Sequence, residues 1–147
     1  MKNYIFITLI NIILGMIQIS FLYRLFGRSL NPNLIAAFAF SLFFLGVYDK
    51  ALFSALIGGI FLDLMGFDTV GISSLILVTC LLLVFYIKKY IFKGWTTQIL
   101  SLFTASITYS ILVGFPNFYF DIKTVFSGIF TVVIGLIFYK LYEPKHS

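Results

Sequence analysis

Charges stand at the edges of this chain's long apolar stretches and almost never inside them. That pattern is the strongest constraint on its fold. A spanning helix needs about 20 mostly apolar residues, because each adds about 1.5 Å against a hydrocarbon core of about 30 Å. Charged residues and turn formers divide the sequence into six such stretches: Tyr4–Tyr23, Leu34–Tyr48, Ala51–Gly66, Val70–Ile87, Thr96–Phe115 and Thr124–Tyr142. The breaks between them carry Arg24, Gly27, Arg28 and Asn31-Pro32-Asn33, then Asp49-Lys50, Lys88-Lys89 and Pro116-Asn117. Of the 147 residues, 61% are hydrophobic and only 10% charged. A soluble domain of this length needs more charge to coat its surface. Strands are no alternative, since lipid forbids open sheet edges and no alternating pattern runs through the chain. The expected fold is therefore all-α and integral to the membrane, a single domain over residues 1–147 with six transmembrane helices.

The second and third stretches are short and joined by almost nothing, so they read as a tight hairpin of short spans under thinned bilayer. The first could pass for a signal peptide, because Lys2 precedes it. It outlasts a signal core of about 7–15 residues, however, and runs into Phe21, Leu22, Tyr23 and Arg24 without a small-x-small site. It reads as a retained span.

Orientation follows from lysine and arginine in the short loops. Six crossings place Lys2, Lys50, Lys88, Lys89, Lys93, Lys140 and Lys145 on one side, against Arg24, Arg28 and Lys123 on the other. This predicts cytoplasmic termini, and an odd number of spans would erase the bias. Trp95 and tyrosines such as Tyr4, Tyr23, Tyr48, Tyr86 and Tyr142 fall at span ends, as an interfacial aromatic belt requires.

Reactive chemistry is scarce. The net charge of +5 is spread between apolar runs, with no basic block for nucleic acid. Cys80 lies alone in an apolar stretch and reads as a packing residue, and His146 is next to last in the chain. No metal or cofactor is expected. An intramembrane serine protease needs a buried histidine, and a metalloprotease needs His and Glu on one helix. The only glutamate is Glu143, in the tail. The expectation is a protein that is not an enzyme.

Asp63 is the most informative residue. A carboxylate at a helix centre costs about 2.5–3.5 kcal/mol on insertion scales, less near an end, and an ionisable group inside a span is a functional candidate by default. Two readings stand side by side: partner or ligand binding, or a helix-end aspartate bonded to the backbone of the Met65–Gly71 turn. Asp68 is assigned to turn chemistry. Nearby, Ala51, Ala55 and Gly59, with Ser54 and Gly58, form small-xxx-small pairs suited to close helix packing, inside the protein or against another helix. Weak polar stripes recur at helical spacing: Thr8, Asn11, Gly15 and Gln18; Thr97, Ser101, Thr104 and Thr108; Gly128, Thr131 and Gly135. Such groups bond across helices and mark faces turned inward or toward a partner.

Asn31-Pro32-Asn33-Leu34 opens a short apolar span. A charged turn follows, then Ala55-Leu56-Ile57-Gly58-Gly59-Ile60-Phe61-Leu62-Asp63-Leu64 and Met65-Gly66-Phe67-Asp68-Thr69-Val70-Gly71-Ile72. Over about Asn31 to Leu75 this resembles the MreD family of bacterial rod shape-determining membrane proteins. Thr69 stands where that family often has proline, and Asp49-Lys50 where it often has basic residues. The resemblance implies a non-catalytic scaffold of the cell-elongation complex in the bacterial cytoplasmic membrane. It would bind the single-span protein MreC and, through it, MreB filaments and peptidoglycan synthases. It draws attention to Pro32, Gly58, Gly59, Asp63, Gly66 and Gly71. It also implies a bundle like the substrate-binding S subunits of energy-coupling-factor vitamin transporters, which makes such a subunit the alternative function.

Overall fold

The computed structural model describes residues 2–25, 33–66, 70–90, 96, 99–100, 103–104, 107–108 and 122–142. Among them every regular element is a helix, with no strand. Helix α1 runs Lys2–Met16 and continues through a π-helical turn, Ile17–Leu22. It is followed by α2 (Leu34–Phe44), α3 (Tyr48–Gly66), α4 (Ile72–Tyr90) and α5 (Ile122–Tyr142). Most of the expected fifth span, Thr96–Phe115, lies outside the described residues, as do Arg28, Asn31, Pro32, Asp68 and Trp95.

The spacing of contacts sets the helix directions. Tyr4 stacks edge-on against Phe53, Asn11 meets Ser54, and Gly15 meets Phe61, so α1 and α3 run parallel. Gln18 meets the start of α2 at Leu34, while Phe43 near its end meets Tyr48 and Phe85. Thus α2 and α4 run the other way. Thr131 meets Asn33 and Phe138 meets Phe38, which aligns α5 with α2.

All eleven residues of α2 are buried. A helix apolar on every side belongs in the centre of a bundle. Here α3 and α5 flank α2 closely, with α1 and α4 touching it at its edges. Phe38, Phe40, Leu42 and Phe43 join Ile7, Leu14, Leu77, Leu81 and Val132 in one core.

Two expectations about the hairpin need correction. The break falls at Leu45–Gly46, not at Asp49-Lys50, so the second span ends at Phe44 rather than Tyr48. The third helix starts at Tyr48 rather than Ala51 and has 19 residues, so it is not short. The cause is a glycine stop. Gly46 adopts φ +81°, its N–H donates to the Phe43 carbonyl, and the Val47 N–H donates to Leu42. This is the Schellman closure of a helix C-terminus, which glycine enters without a Cβ penalty. Asp49 then sits exposed in the first turn of α3, where a carboxylate complements the helix dipole. The shortened α2 rises only about 16 Å, roughly half of a hydrocarbon core, so it does not reach across by itself.

One described helix, Tyr4–Leu25 with 22 residues, is long and apolar enough to cross a membrane. Its outer side shows Ile5, Phe6, Leu9, Ile13 and Phe21.

Because no atom lies within 4 Å of where a Gly46 Cβ would stand, a substitution there acts through the backbone alone. Gly46→Ala is expected to lower stability by about 1–2 kcal/mol, the usual cost of a left-handed residue with a side chain. Gly46→Asn should lose less. Thermal unfolding of the purified protein in detergent measures both, and equal stability of all three would remove the glycine stop.

Candidate functional site

Of the residues singled out in the sequence, Gly59, Asp63 and Gly71 meet at the contact between the end of α3 and the start of α4. Asp63 is 1% exposed. Its Oδ2 accepts from the Gly71 N–H at 2.7 Å, and both carboxylate oxygens accept from the Ser73 N–H, at 3.2 and 3.1 Å. Gly71 and Ser73 bracket the first helical residue of α4. The first N–H groups of any helix lack intrahelical partners and carry partial positive charge. Asp63 therefore caps α4 from a neighbouring helix. That arrangement offsets the cost of placing a carboxylate among apolar residues.

Gly59 lies one turn before Asp63 on the same face. A Cβ added to it would overlap the backbone nitrogen and Cα of Ser74. The absence of a side chain is what lets α3 approach α4 closely enough for Asp63 to reach it. Gly58 faces the other way, against the Ile35 side chain and the Asn11 amide. Ala51, Ser54 and Ala55 are fully buried as well. The small-residue face of α3 is thus consumed by packing inside the protein. Gly71 holds φ +101° with open space around it, a conformation side chains rarely adopt. Gly66 closes α3, and Pro32 lies outside the described residues.

A second polar cluster caps α2. The Asn33 Oδ1 accepts from the Ala36 N–H at 2.9 Å, as an N-cap does. Gln18 Oε1, from the π-helical turn of α1, accepts the Leu34 N–H at 2.9 Å. Thr131 Oγ1, from α5, accepts the Asn33 N–H at 3.0 Å and donates to the Ser127 carbonyl at 2.9 Å. Three helices meet at one buried helix start. Deeper along α1, Asn11 Oδ1 accepts from Ser54 Oγ at 3.0 Å. The α5 stripe and the Asn11, Gly15 and Gln18 part of the α1 stripe therefore point inward, whereas the partly exposed Thr8 hydroxyl donates to the Tyr4 carbonyl of its own helix. In the stripe of the fifth span, Thr104 and Thr108 are exposed, and each hydroxyl donates to the carbonyl four residues back. Thr97 and Ser101 lie outside the described residues.

Sequence reasoning noticed Gln18 and Thr131 as stripe members without seeing their target, and it passed over Ser73. An available signal was Asn33 directly before an apolar run, the ordinary mark of a helix start. The serines after Gly71 were another. Comparison with protein-family models, with curated proteins and with solved structures returns no match.

Asp63→Leu leaves the buried Ser73 N–H and the part-buried Gly71 N–H without their acceptor, at about 1–3 kcal/mol for the buried one and less for the other, and should cost roughly 2–4 kcal/mol in total. Asp63→Asn keeps one acceptor oxygen and should recover part of it. Gly59→Ala must displace backbone, whereas Gly58→Ala must displace two buried side chains, Ile35 and Asn11. Denaturation in detergent should therefore rank Gly59→Ala well below Gly58→Ala in stability. The reverse order would refute the close contact at Ser74.

Proposed function

We propose that this chain is a non-catalytic scaffold subunit of the bacterial cell-elongation machinery. In this reading it is a multi-pass protein of the cytoplasmic membrane with both termini inside, and it associates with a single-span protein of the MreC type. The observation that carries the proposal is the joint between α3 and α4. Three of the six residues to which the resemblance to the MreD family draws attention, Gly59, Asp63 and Gly71, form one structural unit.

Three further features support the reading. The apolar Tyr4–Leu25 helix is long enough to cross a bilayer and largely exposed on its outer side. Large apolar side chains also face outward along α4 and α5, including Leu75, Leu82, Leu83, Phe130, Val133 and Ile137. Such faces suit lipid or another protein's helix. The buried oxygens of Asp63, Gln18, Asn33 and Thr131 are engaged in capping helices. A vitamin-binding subunit needs convergent polar groups around a roomy pocket, and these groups are spent on backbone instead. The scaffold would act as a rigid member, holding a partner's helix against a preformed face.

Purification of the tagged chain in mild detergent, co-expressed with its host's MreC-type protein, is expected to bring that protein down. Recovery of an ATPase module in its place would favour the transport reading and defeat this one. Depletion in a rod-shaped host should round the cells. Topology is checked separately, with Cys80→Ser as background. A cysteine at Lys50 should resist a membrane-impermeant maleimide applied from outside.

A further inference from the structure

The capped start of α2 has one donor left over. Asn33 is 4% exposed, and its Nδ2 has no hydrogen-bond partner among the described residues. The amide is not free to swing away from the helix, because its Oδ1 is committed to the Ala36 N–H. The Nδ2 is therefore held at the N-terminus of an eleven-residue helix, inside the bundle, between α1 and α5. A buried polar group without a partner is costly, and native proteins rarely keep one.

We infer that the N-terminus of α2 is a binding site for one small neutral hydroxyl oxygen, namely an ordered water, to which Asn33 Nδ2 donates. The neighbouring groups select that guest. Thr131 Oγ1 donates its own hydrogen to Ser127 and accepts the Asn33 N–H, which leaves it a second lone pair beside the same turn. A guest here must accept from Nδ2 and can donate to Thr131. Water and hydroxyl groups do both, whereas a bare anion accepts only and would face the threonine lone pair. Isolated charge is also expensive to bury. Buried water with two to four polar partners is an ordinary structural component, on the order of one per 27 residues. At this place it would complete the clasp that joins α1, α2 and α5. The inference is independent of the proposed scaffold role.

The test uses the full-length chain in lipid nanodiscs with ¹⁵N-labelled asparagine side chains, and water itself as the probe. Magnetisation transfer from water protons to the Asn33 side-chain amide is expected to give a cross-peak despite the residue's burial. Asn33→Ser, which keeps a capping oxygen and replaces the side-chain amide by a shorter hydroxyl, should abolish that peak without raising the melting temperature. If the variant does not fold, sequential assignment of the unmodified protein identifies the peak. A dry Asn33 amide, with no water cross-peak, would overturn the proposal, and so would an Asn33→Ser protein more thermostable than the parent. A shift of the Nδ2 resonance that saturates on adding chloride or phosphate would also overturn it, in favour of an anion.

Discussion

A backbone N–H without an intrahelical partner must find an acceptor, and two helix starts among the described residues take theirs from other helices. Helix α2 begins between α1 and α5, and α4 begins against α3. Both are capped by side chains from other helices: Gln18 and Thr131 for α2, Asp63 for α4. The buried polar residues of an otherwise apolar interior are therefore largely joints between helices. They explain why α1 must pass the start of α2, why α5 must lie beside it, and why α3 and α4 cannot slide past one another.

The joint between α3 and α4 shows how steric and polar requirements combine. Gly59 and Asp63 are four residues apart and so share one helix face. The glycine lets two backbones come together at Ser74, and the aspartate uses that closeness to bind Gly71 and Ser73. Either alone would do little. A carboxylate without the approach would be stranded in an apolar layer, and an approach without the carboxylate would bury unbonded amides. The glycine-rich run ending Asp63-Leu64 is thus a mechanical element. It gives the proposed scaffold a stiff core from which the apolar faces of α1, α4 and α5 project.

Much of this was legible beforehand, for physical reasons. The long apolar stretches of α1, α3, α4 and α5 correspond to helices within a few residues, because charge and turn formers cannot be tolerated inside them. Cys80 was read as a packing residue and is buried. The stripe Thr8, Asn11, Gly15 and Gln18 was visible as a helical period, and all of it but Thr8 is buried. The break between α2 and α3 was misplaced because a charged pair, Asp49-Lys50, drew attention away from Gly46. A left-handed glycine closes a helix through its backbone alone and leaves no trace in hydropathy. The partners of Asp63 and Gln18 were invisible because each acceptor and its donor lie on different helices.

Sequence alone therefore determined where the long apolar helices lie, because transfer energies sum along a chain regardless of what the chain packs against. It also determined which few residues were too polar to leave unexplained. Tertiary structure decided what those residues do. Whether Asp63 meets a partner or a helix start depends on which backbone comes within 3 Å of it. Likewise, the all-round apolar composition of α2 suits a buried place, but only the packing of α3 and α5 on both its sides makes it central. Hydrogen bonds are short and directional, so they belong to the assembled bundle and not to any one of its segments.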